Sequence, residues 1–249
     1  MASVICTAPQ VNCSGVCVDT TSDSNNCGLC GRVCTTGTTC RSGTCMTATT
    51  GGRYARTTST ATYTSACSLT GATRLFTTAS TAAPVDDNAA FAPLAFAFNF
   101  WGRPVTAGTM VNVCTNGFIS LDGVASTSYT PALPSASSPN GVIAALWTDL
   151  DITSPVCVAT TGTTGNRRMI FEWPSTRIHG ATSGAFGLEV VLNEFDGSID
   201  ILYQGTSLSP TSVAIGVENL TGTDSIGGCT AGSSCAVTSS TRIRFVPSP

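Results

Sequence analysis

Leu94-Ala95-Phe96-Ala97-Phe98-Asn99-Phe100 (LAFAFNF, residues 94–100) is the stretch on which the fold turns. Leu94, Phe96, Phe98 and Phe100 alternate with Ala95, Ala97 and Asn99. A period of two sends the four large groups to one face of an extended chain, whereas a helix would scatter them around its surface. So much apolar surface on one side needs a second layer to cover it, so this face is core.

The same period recurs on both sides. Met110–Leu121 (MVNVCTNGFISL) places Asn116-Gly117 between two β-prone runs, the strongest short-range signal for a hairpin. Further on, Phe186, Leu188, Val190 and Leu192 alternate, Asp196-Gly197 makes a turn, and Ile199, Ile201 and Tyr203 return. Other strands are expected at Val142–Trp147, Arg168–Trp173, Val213–Glu218 and Arg242–Phe245. Gly, Thr and Ser abound, while Leu and Glu are scarce and Lys is absent, which disfavours long helices. The class is all-β: an antiparallel two-sheet β-sandwich, jelly-roll-like, with a barrel as the lesser option.

The cysteines set off the N-terminus. Of the 13, Cys6, Cys13, Cys17, Cys27, Cys30, Cys34, Cys40 and Cys45 precede Gly51, in a segment without an aromatic residue. Burial alone cannot offset the chain entropy of so short and polar a segment. An even number of cysteines among Gly, Asn, Asp and Thr reads as a disulfide module, each bridge contributing about 2–4 kcal/mol. Structural zinc wants thiolates grouped in fours, but one C-x-x-C is present (Cys27 to Cys30) and the sole histidine is His179. A redox C-x-x-C wants a βαβ unit, and none is readable. The expected organisation is a disulfide-rich module over residues 1–46, a Thr/Ser-rich linker or lead-in strand over 47–71, and the sandwich over 72–249.

Five cysteines remain. Cys229 and Cys235 are expected to close a local loop, two of Cys67, Cys114 and Cys157 to pair, and one to be left over. Cys67, at the margin of the sandwich, is the expected free or intermolecular thiol. Oxidised sulfur places the protein outside the cell, secreted or at a cell surface. MASVICTAPQ lacks a charged stretch followed by an apolar one, so an export signal is expected to have been removed. No run approaches the roughly 18 apolar residues of a membrane span. With a net charge of -3 and 10% charged residues, no basic patch is available for nucleic acid.

Two resemblances follow from these residues. The run from Cys13 to Cys45, with G-x-C-V-D, Asn26-Cys27-Gly28, C-G-x-C-G and the closing C-x-x-G-x-C, resembles the cysteine-rich repeat of stigma-specific secreted proteins. The ordered series LAFAFNFWG, VCTNGFISL, LPSASSPNGVIAALWTDLD, RRMIFEW, GLEVVLNEFDGSIDILY and AIGVEN resembles the nidogen-like β-sandwich of bacterial surface proteins and is similar to the plexin-domain-containing ectodomain. The first resemblance implies an extracellular disulfide module without enzyme activity. The second implies an adhesive or structural extracellular domain.

Few residues read as chemistry. His179 lies in a loop-like stretch without the G-x-S-x-G that a serine hydrolase of the α/β type would show. Asp149 and Asp151 in ALWTDLDI are two apart in an extended segment and point to one side. The first reading has them accept hydrogen bonds from loop amides. The second has them bind calcium with Asp122 or Asn116, and the third makes them a glycosidase pair. Glu172 and Glu189 are expected to pair with Arg167, Arg168 or Arg177. Trp101 and Trp173 are expected in the core or at its rim, with a sugar platform as the alternative. Asn12 and Asn219 head glycosylation sequons, and the threonines of 47–71 are candidates for O-glycans.

The resulting expectation is a non-enzymatic structural or adhesive protein of a surface or matrix, with itself, surface proteins or glycans as partners and filaments as an extension. It requires no cofactor. The rivals are a calcium-dependent carbohydrate-binding module and, last, a hydrolase.

Overall fold

The computed structural model describes residues 4–7, 10–34, 38–41, 43–47, 53–205, 212–229 and 237–248. The N-terminal module is two hairpins, β1 (Val11–Cys13) with β2 (Val16–Val18) and β3 (Thr38–Arg41) with β4 (Thr44–Thr47). Four disulfides hold it: Cys6–Cys17, Cys13–Cys30, Cys27–Cys40 and Cys34–Cys45. The two cysteines of the C-x-x-C therefore bond to different partners. Among the module's described residues the buried side chains are Cys27, Cys40 and Thr20, so sulfur stands where a larger domain has aliphatic groups. Gly28 has φ +77, and a Cβ there would lie 2.3 Å from the Gly43 carbonyl oxygen; only glycine lets these two turns touch.

The sandwich strands begin with β5 (Arg53–Thr60), β6 (Thr73–Leu75), β7 (Ala89–Pro93), β8 (Phe98–Phe100), β9 (Arg103–Val105), β10 (Met110–Cys114) and β11 (Phe118–Ser120). They continue with β12 (Val142–Trp147), β13 (Leu150–Ile152), β14 (Val156–Thr161), β15 (Arg168–Ile178) and β16 (Phe186–Asn193). The last are β17 (Ile199–Gly205), β18 (Ala214–Glu218), β19 (Ser225–Cys229) and β20 (Thr241–Ser248). One sheet runs β19-β18-β12-β11-β10-β7; the other runs β5-β20-β17-β16-β15-β14-β6, with β13 also on β15. The sandwich thus starts at Arg53 rather than at residue 72, because β5 pairs with β20 along its whole length. Among the described residues no helix is long and apolar enough to cross a membrane.

The two inner faces make one core, from Val111, Ile119 and Ile143 on one sheet to Phe171, Trp173, Val190 and Ile201 on the other. Leu94, Phe96, Phe98 and Phe100 all lie in it, at most 2% exposed. Only Phe98–Phe100 is a strand, and it pairs with β9 outside both sheets. The chain bends at Ala95-Phe96, so the alternation reports which residues face the core and does not require sheet membership. Two side chains tie the sheets across this interior: Tyr203 Oη donates to the Ala145 carbonyl at 2.6 Å and Trp173 Nε1 to the Cys114 carbonyl at 2.9 Å.

The outer face of the larger sheet is covered too. Residues 61–72, with a 3-10 turn at Ala66–Ser68, cross it and pack on Cys157, Ala159, Ile170, Val191 and Leu202. This path brings Cys67 onto β14, where it is disulfide-bonded to Cys157. Cys67 is therefore not the spare thiol. Among the described residues the free thiol is Cys114, fully buried beside Phe118, Ala144 and Trp147, where burial pushes it up to about 12. The expected Cys229–Cys235 bond lies outside the described residues, since Cys235 is not among them.

Glu172 and Glu189 also differ from expectation. They sit opposite one another on β15 and β16, 1% exposed, and neither makes an ion pair with arginine among the described residues. Arg167 pairs with Glu194 and Arg177 with Asp151 instead. The two glutamates face residues 61–72: Glu172 Oε2 accepts from the Cys67 amide at 2.8 Å and Ser65 Oγ at 3.2 Å, and Glu189 Oε2 from the Thr64 amide at 3.4 Å. Burial, with the neighbouring Glu172 charge, pushes the Glu189 carboxyl up to about 8.

Two outcomes are expected. Cys114 should resist alkylation in the native protein and react once it is unfolded, while replacing the Cys67–Cys157 pair by alanines should cost about 2–4 kcal/mol in urea denaturation. The folded protein keeps the Glu189 proton over a range in which the unfolded chain has released it. Stability should therefore fall as pH rises from about 4.5 to about 8, and Glu189→Gln should flatten that slope.

Candidate functional site

Asp149 and Asp151 are positioned by a bulge. The β12–β18 register shifts between Ala144 and Trp147, and the amides of Ala145 and Leu146 both donate to the Gly117 carbonyl, at 3.0 and 3.1 Å. That extra residue puts Ala145 and Leu146 both into the core and bends the chain toward Thr148-Asp149. Gly117 itself has φ +76, and a Cβ on it would lie 2.4 Å from the Leu146 carbonyl oxygen. Its neighbour Asn116 accepts from the Leu150 amide through Oδ1 at 2.9 Å and donates through Nδ2 to Asp87 Oδ1 at 2.8 Å.

Beyond the bulge, β13 pairs with β15, setting Asp151 opposite Arg177 and Leu150 opposite Ile178. The His179 amide then donates to the Asp149 carbonyl at 3.0 Å, and a bridge between Val85 and Ile152 delivers Asp86 and Asp87 to the same place. The imidazole Nδ1 of His179 lies 2.9 Å from Asp151 Oδ1, 3.2 Å from Asp86 Oδ2 and 4.0 Å from Asp149 Oδ1. Arg177 Nε donates to Asp151 Oδ2 at 3.1 Å.

These contacts sort the carboxylates. Asp151, 7% exposed, has one oxygen on Arg177 and the other on His179, which is how a buried charge is retained. Its hydrogen bond, followed by the charges of Asp86 and Asp149, holds the His179 pKa above its ordinary value. Asp86 is raised by burial and by the adjacent Asp87 charge. Ligand oxygens of Asp86, Asp87 and Asp149 lie within 4.8 Å of one another, and Asp149 Oδ1 has no hydrogen-bond partner among the described residues. Oxygen-only ligands of this kind suit calcium better than zinc.

Asp122 does not belong to the group. It follows the opposite end of β11 from Asn116, and its carboxylate takes the Asn140 amide at 2.8 Å, Ser138 Oγ at 3.1 Å and the Val124 amide at 3.2 Å. Asp86 and Asp87 were not singled out in the sequence; an adjacent acid pair between Pro84 and Asn88 was the available signal. Trp173 is fully buried, whereas Trp101 stands half-buried at the rim.

Because its folded pKa lies above 6.5, protonated His179 stabilises the fold fully below that value and loses its contribution as pH rises through the raised one. The melting temperature of His179→Ala should accordingly fall below that of the native protein in mildly acidic buffer and converge on it in alkaline buffer.

The model of the family described as NIDO related matches residues 53–248, and that of the Stigma-specific STIG1-like protein family matches residues 1–48. No curated protein and no solved structure matched. The first match opens at β5, where the sheets begin, and ends in β20. The chain belongs to the NIDO related family, with a STIG1-like cysteine-rich segment ahead of its β-sandwich.

Proposed function

We propose that this protein is a non-enzymatic extracellular component of a surface or matrix, structural or adhesive in role. The observation that carries the reading is the disulfide framework: four bridges take the place of a core in the N-terminal module, a solution suited to an oxidising compartment. The NIDO-related and STIG1-like matches support it. So does the use made of the acids. Asp151 is spent on Arg177 and His179, and Glu172 and Glu189 lie under residues 61–72, closed to a substrate.

Self-association is the finer part of the proposal. β5 is an edge strand of eight residues, seven of them exposed, free of proline and bulges, with its charges, Arg53 and Arg56, confined to its first half and Thr57–Thr60 uncharged. A second copy can add to it by strand pairing. The calcium-dependent reading keeps one observation of its own, the Asp86, Asp87 and Asp149 cluster.

Gel filtration and electron microscopy at rising concentration should reveal oligomers that Thr57→Lys with Ser59→Lys disperses; compact monomers throughout would remove self-association. For the second reading, calcium should raise the melting temperature saturably in the native protein and not in Asp149→Asn, and a flat titration would end it.

A further inference from the structure

Where the edges of the two sheets come together, the start of β5, the turn between β8 and β9 and the segment leading into β19 enclose a cleft of about 300 Å³. Its walls include Arg53, Trp101, Arg103, Thr221, Thr223 and Asp224. Arg53 is paired with Asp224 at 2.6 Å, while Arg103 is exposed and has no ion-pair partner among the described residues. Two guanidinium groups thus stand against one carboxylate, in a chain whose net charge is -3. The cleft favours an anion.

The turn residue adds a second requirement. Phe100 pairs with Arg103, so Trp101-Gly102 forms a two-residue hairpin turn, with φ +51 at Trp101 and +72 at Gly102. Asn, Asp and Gly are the usual occupants of the first position, and a bulky residue there carries backbone strain. The fold nevertheless holds an indole there. Tyr54 braces it edge-on, with ring centroids 5.8 Å apart and planes at 76°, and the Tyr54 hydroxyl is anchored on the Asn99 and Gly197 carbonyls. Trp101 Nε1 finds no acceptor among the described residues.

We propose that this cleft binds a uronate residue of an acidic polysaccharide. It rests on the adhesive reading above and names what is held. An indole face packs against the C–H side of a pyranose ring and a guanidinium fork takes a carboxylate, while Thr221 and Thr223, whose hydroxyls bond each other at 2.9 Å and Asn219, border the cleft. A neutral sugar would leave Arg103 unused, and a bare inorganic anion would leave the indole unused. The volume lies at the small end for ligand sites and fits one ring.

Intrinsic fluorescence reads the site, because Trp147 and Trp173 are buried with their indole N–H groups bonded to the Ser128 and Cys114 carbonyls. Titration with trigalacturonate should give a saturable change that salt weakens, and maltotriose should give none. Arg103→Ala should weaken binding at least about tenfold. Trp101→Asn supplies the ordinary turn residue, so binding measured by calorimetry should be lost while the cooperative melt is retained. Equal binding of the two sugars, no binding of trigalacturonate, or undiminished binding by Arg103→Ala would overturn the assignment. If trigalacturonate fails to bind while the native protein still assembles or coats a surface, the cleft falls and the structural role stands.

Discussion

Burial of two antiparallel inner faces against each other is the interaction on which the rest depends. Each sheet supplies an apolar layer that is unstable in water alone, and the interior between them accepts a polar atom only when it is hydrogen-bonded. Tyr203 and Trp173 satisfy that condition by donating across the gap to the backbone of the facing sheet, so the groups that would have been costly become ties between layers. β12 shows the same demand at strand level. All six of its residues are buried, because a bulge redistributes them between the core and a smaller cluster around Cys114, Phe118 and Trp147.

The outer face beneath residues 61–72 is handled with less apolar material and more polar and covalent attachment. Here a small hydrophobic patch, a disulfide with a sequence separation of 90 and hydrogen bonds onto Glu172 and Glu189 together hold a segment that has no strand partner. The N-terminal module carries this strategy to its limit, with bridges and close glycine contacts and almost nothing else inside. Both are solutions available to a protein whose thiols are oxidised.

The polar clusters reflect this architecture. The Asp149 group gathers where a bulge, a hairpin turn and a strand end meet, and its members Asp151 and Asp87, with Asn116, hold those segments together. The Trp101 cleft is different in kind: its indole sits in a turn conformation that sequence-local energetics disfavour, and Arg103 has no ion-pair partner among the described residues.

Much was legible without coordinates. Period-two alternation at Leu94–Phe100 and 186–203 gave the β class and the core-facing residues, and the Asn116-Gly117 and Asp196-Gly197 pairs gave the hairpins, since both signals are local. The number and polar setting of the first eight cysteines gave the disulfide module. What sequence could not supply was everything that depends on which segments lie over which. Cys67 looked marginal because nothing local reveals that 61–72 turns back over β14. Glu172 and Glu189 looked like surface partners for arginine because their facing layer comes from a distant segment. Asp122 follows the same hairpin as Asn116, yet β11 carries it to the far end, while Asp86 and Asp87 arrive through a single bridge from another part of the chain. Alternation and composition are fixed by neighbouring residues; disulfide partners, buried acids and shared sites are fixed by chain crossings, which only the tertiary structure decides.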